Sequence, residues 1–296
     1  MLRAALDEGI GMLDTATLYG GGRNEELVGA AIAGRRDEVF LASKCGMASV
    51  DGVKVIDGRP DTLRAQVDAS LTRLGVDYID LYYLHRWDKK VPIGDSVGAL
   101  AEMVAAGKIG AIGLSEVSVA RLREAQEVTP IAAVQNEYSL WSRNAELGML
   151  DATREDGVTL VAFSPVARGF LADAIKDPAE LSQNDIRRGM PRFQPEHWGA
   201  NAALLASWRQ LAAEAGCTPA QLALAWLLSR GDHVLPIPGT TSVAHLRENM
   251  AAADISVDGA LLTRAGELIG TATISGARYA PASAAEVDAE TFEDAA

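Results

Sequence analysis

Cysteine is scarce in this chain, with two residues in 296, Cys45 and Cys217. Two cysteines so far apart, without metal-ligand spacing, exclude a disulfide framework and a thiolate metal site, and they fit a reducing compartment such as the cytoplasm. Long apolar runs are missing too. The longest lie near Ala202 to Leu205 and Leu222 to Leu228, well short of the ~20 residues that span a bilayer, so no membrane partner is expected. Positive charge is in deficit, with Lys plus Arg at 27 against Asp plus Glu at 40 and a formal net charge of -13. Such a field repels phosphate backbones, and no nucleic-acid partner is expected. The opening MLRAALDEGIGM lacks the charged head, apolar stretch and small-residue cleavage site of a secretory leader. What is present, 48% hydrophobic and 23% charged residues, suits a folded chain with a substantial core.

Short β-rich runs alternate with helical patterns from end to end. Strand patterns cover 9–16, 39–44, 78–85, 109–115, 132–138, 159–165 and 234–238. Between them, 24–33 and 61–74 carry apolar residues at helical spacing, the second behind Asp61 as a candidate cap, and 45–60 reads as a Gly/Asp-rich loop. Strands separated by helices imply parallel pairing, either a doubly wound open sheet or a (β/α)8 barrel. The open sheet's nucleotide-binding signature, G-x-G-x-x-G after the first strand, is absent. The α/β (β/α)8 TIM barrel is therefore expected, as a single domain over 1–270 with a long loop over 167–199, followed by a C-terminal loop and mobile tail over 271–296. A closed barrel needs eight strands, whereas about seven are read, and residue 1 already falls in a helix pattern. The expectation is a barrel lacking its N-terminal hairpin and first strand.

In such barrels the reacting groups stand at the C-terminal ends of strands. Asp14, Lys44 and His85 each close an apolar run, and Tyr19 follows Asp14 by five residues. Together they make a proton-transfer device. An ammonium beside a phenol stabilises phenolate, a carboxylate keeps a buried ammonium charged, and an imidazole hydrogen-bonds the reacting oxygen. Taken singly, each has a structural reading as a turn, strand end, rim histidine or loop aromatic; four at successive rim positions do not. No His, Cys and carboxylate set has the spacing of a catalytic metal site.

The motifs DTATLYG (Asp14 to Gly20), LASKCG (Leu41 to Gly46) and YLHRWD (Tyr83 to Asp88) resemble those of the aldo-keto reductases, in a long-chain, broad-specificity carbonyl reductase branch. The resemblance implies that Tyr19 is the general acid/base, that Lys44 acts on it, that Asp14 holds Lys44 and that His85 orients the carbonyl. It implies hydride transfer between a nicotinamide cofactor and an aldehyde or ketone, with NADPH preferred and NADH possible. GLSEVS (Gly113 to Ser118), where Glu116 stands in place of the family's usual Asn, places Ser115, Glu116 and Gln135 on the carboxamide. FSPVARGFL (Phe163 to Leu171) places Phe163 on the nicotinamide ring and Ser164, Val166, Arg168 and Gly169 near the pyrophosphate. IPGTTSVAHLRENMAA (Ile237 to Ala252) places Pro238, Gly239, Thr240, Thr241, Ser242 and His245 at the adenosine phosphate and Glu248 and Asn249 at the adenine. Met47, Trp87 and Trp141 are candidate substrate-pocket residues. The competing readings are a cofactor-sensing binding subunit of the same fold, of the channel-subunit kind, and an inactive truncated copy.

Overall fold

The structure, a computed structural model, describes residues 1–292. Two compact units emerge: one is chiefly Met1–Gln135 with Glu155–Thr159 and Val287–Glu290, the other chiefly Asn136–Arg154 and Leu160–Glu286. Residues 293–296, the end of the expected tail, lie outside the described residues.

The first unit runs α1 (Leu2–Asp7), β1 (Met12–Asp14), α2 (Arg23–Ile32), β2 (Phe40–Cys45), β3 (Met47–Val50), β4 (Val53–Ile56), α3 (Pro60–Leu74), β5 (Ile79–Leu84), α4 (Ile93–Ala105), β6 (Ile109–Ser115), α5 (Val119–Gln126) and β7 (Ala133–Glu137), the last crossing into the second unit. Strands β1, β2, β5, β6 and β7 are parallel neighbours in that order. Their near-continuous burial, for example Leu41 to Cys45 and Leu81 to Leu84, is what a parallel sheet covered by helices demands. The register sets Asp14 beside Ala42 and Lys44 beside Tyr83, so the strands finish together at one end.

The second unit continues with α6 (Met149–Glu155), β8 (Thr159–Phe163), α7 (Pro195–Ala203), α8 (Leu205–Glu214), α9 (Pro219–Leu228), β9 (Val234–Ile237), α10 (Val243–Ala251), α11 (Gly259–Leu268) and α12 (Pro281–Ala284). Strands β8 and β9 are parallel, with Phe163 beside Ile237. Trp208 and Trp226, both buried, anchor the core under α8 and α9. The expected long loop is held by an aromatic cluster: Trp141 stacks on Phe170 at 4.5 Å and Phe193 stacks on Trp198 at 5.9 Å. Among the described residues, no single helix is long and apolar enough to cross a membrane; the stretches Pro195–Glu214 and Pro219–Leu228 have the composition only together and meet at 74°.

Two local readings are corrected. The expected loop over 45–60 contains an antiparallel hairpin, β3 with β4, closed by Asp51 and Gly52 at φ 51° and 78°. Positive φ at both central residues matches the right-handed strand twist, which is why Asp-Gly serves there. Asp61 does not cap α3: Arg59 occupies that position without a side-chain bond, Pro60 opens the helix, and Asp61 lies in the first turn. Proline's fixed φ and missing N–H suit the first helical position.

Helices α2 and α3 cross closely at Gly29, where an added Cβ would run into the Leu74 carbonyl. Gly29→Ala is expected to lower stability by about 1–2 kcal/mol, because overpacking against rigid backbone, in the upper part (~2–3 kcal/mol) of its usual range, exceeds alanine's ~1 kcal/mol helix advantage. Urea unfolding checks this; a midpoint equal to or above that of the parent contradicts it.

Candidate active site

Lys44 organises the first unit's polar centre. It lies on β2, its side chain is fully buried, and its ammonium bonds Asp14 Oδ1 and, at 2.9 Å, the Thr15 carbonyl. Burial alone would strip the proton; Asp14, with Tyr19 adding to it, more than offsets that, and the lysine is held above its ordinary range. Asp14 spends its other oxygen on Gln135, whose Nε2 donates at 2.9 Å. The Tyr19 hydroxyl lies 3.5 Å from Lys44 Nζ, and the ammonium sits 5.0 Å from the tyrosine ring centroid.

His85 follows β5 directly, and its N–H backbone group donates to the Cys45 carbonyl at 2.8 Å. Its ring meets Tyr19 edge-on at 5.8 Å. Burial, then the charges of Lys44, Arg86 and Lys54, push its pKa well below the ordinary histidine value, so the imidazole is neutral. Its Nδ1 is buried without a partner among the described residues, and a buried polar atom left so calls for a ligand group or water. Asp14, Lys44 and His85 at three successive strand ends and Tyr19 from the loop after β1 do converge.

The expected carboxamide residues lie in the same unit. Ser115 Oγ donates to the Gln135 carbonyl at 2.9 Å, and Arg86 reaches Ser115 Oγ at 3.3 Å. Glu116 is buried with φ 56°, a left-handed backbone that costs a non-glycine residue on the order of 1–3 kcal/mol and concentrates at functional sites. Its carbonyl accepts from Asp288 N at 3.0 Å. Met47 is buried on β3; Trp87 donates from Nε1 to the Val91 carbonyl at 2.9 Å, with Arg121 stacked 3.8 Å from its ring.

In the second unit, β8 ends at Phe163, and Ser164, Ala167, Arg168 and Gly169 follow with φ of 52°, 51°, 56° and 95°. Val166 at φ -101° precedes Ala167, so right- and left-handed residues follow one another through the turn. The Arg168 guanidinium faces Glu137 at 3.1 Å and the Tyr279 hydroxyl at 3.2 Å; the amides of Ala167 and Gly169 are spent on the Ser164 and Val166 carbonyls within the turn, and the buried Nε of Arg168 has no partner among the described residues. Arg168 and Arg278 each stand 6.0 Å from the Phe163 ring.

At the end of β9, Thr240 Oγ1 accepts from Ser242 N at 3.1 Å and Ser242 caps α10 through His245 N at 3.4 Å. Pro238, Gly239 and Thr241 complete that turn, His245 is exposed, and no lysine or arginine occurs from 238 to 246. On α10, the Glu248 carbonyl accepts from Gln221 and Asn249 is half-buried. Trp141, expected in a substrate pocket, is buried inside the aromatic cluster, stacked on Phe170 and met edge-on by Phe193, with the Arg192 guanidinium 5.1 Å from its ring centroid.

The aldo/keto reductase family model matches residues 1–264. The chain belongs to the aldo/keto reductase family. It is 41% identical to the NADP(+) aldo-keto reductase of Schizosaccharomyces pombe over 98% of this chain and 88% of that one. Among solved structures, a glycerol dehydrogenase from Gluconobacter oxydans superposes with a TM-score of 0.84 at 28% identity, covering 95% of this chain and 87% of that one. An aldo-keto reductase from Klebsiella pneumoniae in complex with NADPH gives a TM-score of 0.70 at 29% identity, covering 90% and 82%. This aldo-keto reductase thus has the family's (β/α)8 barrel fold.

Sequence reasoning missed Thr15, whose carbonyl holds Lys44, and the buried acids Glu25 and Glu137. Glu137 binds Ser142 Oγ at 2.8 Å and Arg278 at 3.0 Å besides Arg168. Burial raises its carboxyl pKa, but Arg278 and then Arg168 overcome that and hold it at about 2. A carboxyl lowered on folding adds stability above the unfolded value near ~4.3 and loses it as pH falls toward the folded one. Between pH 6 and pH 3 the parent is expected to lose about 2 kcal/mol more than Glu137→Gln. Urea titrations at the two pH values check it; parallel losses contradict it.

Proposed function

We propose that this enzyme reduces the carbonyl group of a small aldehyde or ketone, with Tyr19 as the proton donor. Aldo-keto reductases act on carbonyl substrates. The observation that carries the reading is the buried Lys44 ammonium, pinned by Asp14 and 3.5 Å from the Tyr19 hydroxyl. NADPH, when bound, supplies the hydride.

The chain's own residues handle the proton. Tyr19 gives its phenolic proton to the carbonyl oxygen as the carbon is reduced, and the phenolate left behind is stabilised by the ammonium next to it. Because Tyr19 is 39% exposed, solvent returns the proton. His85, being neutral, has one N–H to donate, and hydrogen-bonding the same oxygen orients the carbonyl carbon. Met47 and Trp87 contribute apolar surface beside these groups.

For the cofactor, Ser115, Glu116 and Gln135 in the first unit are assigned to the carboxamide. Gln135 has its Nε2 committed to Asp14 and offers its Oε1 to an amide N–H. In the second unit, Phe163 is assigned to the nicotinamide ring, Ser164, Val166, Arg168 and Gly169 to the pyrophosphate, and Pro238 to Ser242 with His245, Glu248 and Asn249 to the adenosine end. Three hydroxyls and a helix N-terminus suit a phosphate without a formal cation. The NADP(+) name of the yeast relative and the NADPH bound to the Klebsiella protein support NADPH as the preferred cofactor. Two free cysteines, Cys45 fully buried, suit a reducing compartment, and the cytoplasm is the proposed location.

Tyr19→Phe is expected to lower kcat on a nitroaromatic aldehyde by ~10²–10⁴-fold, the usual worth of a positioned acid, while NADPH affinity changes less than about threefold. Steady-state NADPH oxidation with a fluorescence titration of cofactor decides it. A kcat within threefold of the parent overturns the assignment.

A further inference from the structure

Glu25 is a charged residue with no exposed surface, and the reaction described above does not use it. It lies in the first turn of α2, the helix that begins where the Tyr19 loop ends. One carboxylate oxygen accepts from Ser43 Oγ at 2.6 Å; the other accepts from Arg73 Nε at 2.7 Å and pairs with Arg73 Nη2 at 2.6 Å. Ser43 precedes Lys44 on β2, and Arg73 stands near the end of α3.

Arg73 then reaches the Tyr19 loop from both sides. Its Nη2 donates to Thr17 Oγ1 and to Ser70 Oγ, each at 3.3 Å. The two hydroxyls meet at 3.2 Å, and Ser70 is fixed in turn by the Tyr82 hydroxyl at 2.8 Å. At the other end of the loop the stem of Arg73 passes under Gly22, where an added Cβ would lie 2.7 Å from Arg73 Cδ. Between these contacts lie Leu18, Tyr19, Gly20 and Gly21, and the loop closes on three consecutive left-handed glycines, with φ of 61°, 63° and 93° at Gly20, Gly21 and Gly22. A run of that kind has little stiffness of its own.

We infer that the Glu25–Arg73 pair is a positioning device for the known reaction, clamping the loop at Thr17 and Gly22 so that the Tyr19 hydroxyl is held against Lys44. The inference rests on Tyr19 being the proton donor. Stability is not what the pair supplies: removing two charges from water costs about what their attraction returns, and matched apolar replacements of buried pairs are often neutral. Placement of a proton donor to within ~0.5 Å, in contrast, governs turnover directly.

The test is the matched double replacement Glu25→Met with Arg73→Met, assayed beside Arg73→Lys, which keeps the charge but loses the fork that spans Glu25 and Thr17. The double variant is expected to unfold within a few degrees of the parent and to hold NADPH and carbonyl substrate within about threefold, while kcat falls about tenfold or more. Adding Tyr19→Phe to it is expected to cost at least ~fivefold less than in the parent, because a misplaced donor has less to lose. Should the double variant not fold, Arg73→Lys carries the test, with at least a ~fivefold loss in kcat expected at unchanged substrate KM. A folded double variant, or a folded Arg73→Lys protein, turning over within twofold of the parent overturns the clamp. If Tyr19→Phe alone leaves turnover intact, the proton-donor reading falls as well. If it abolishes turnover while the clamp variants do not slow it, only the clamp falls.

Discussion

A buried ammonium that must stay charged is the constraint from which the first unit's polar centre follows. Transfer of an unpaired ammonium into a protein interior costs several kcal/mol, enough to deprotonate it at neutral pH. Lys44 avoids this because parallel pairing of β1 with β2 brings Asp14 to the same strand end. The Thr15 carbonyl takes a second N–H, and Gln135 on β7 holds the far oxygen of Asp14. Each partner sits where β-ladder register, rather than loop chance, puts it. The Lys44 charge then acts twice, on the Tyr19 hydroxyl beside it and on His85, whose neutrality it reinforces.

The second unit solves a related problem with the signs reversed. Glu137 is a buried carboxylate among Arg168 and Arg278, with Arg192 bonding the Ser142 hydroxyl that Glu137 also holds. Arg192 is itself lowered to about 10 by burial, with Arg278 and Arg168 repelling it and Glu137 pulling the other way; it remains charged at neutral pH. Arg168 from the strand-end turn and Arg278 bind Glu137 directly, and Arg192 from the long loop joins them through Ser142, so one carboxylate ties together three stretches of irregular chain. The strained left-handed turn from Ser164 to Gly169 is held in place by such contacts, among them Arg187 on the Arg168 carbonyl at 3.0 Å.

Much of this was legible because it obeys short-range rules. Strand β6 runs from Ile109 to Ser115 as its uninterrupted apolar pattern implies, and Asp14, Lys44 and His85 stand out as polar residues closing apolar runs. The hairpin carried its signal too, an Asp51–Gly52 turn between alternating residues, but the flanking Val50, Val53 and Val55 are exposed and the segment reads as loop. Glu25 and Glu137 had no such signal. A glutamate on an amphipathic helix or strand defaults to solvent, and only long-range partners, Arg73 forty-eight residues away and Arg278 at 141, reveal otherwise. The same holds for Trp141, whose neighbours Phe170 and Phe193 arrive from the two ends of the long loop.

The central claim, that Asp14 keeps Lys44 charged in a buried site, is tested most directly by following the Lys44 side-chain nitrogen by NMR across a pH titration in the parent and in Asp14→Asn. The parent signal is expected to remain that of an ammonium beyond the ordinary lysine value of ~10.4. In Asp14→Asn the main charge opposing burial is gone, and the titration is expected to move to lower pH. Coincident titration curves in a folded Asp14→Asn protein would contradict the account.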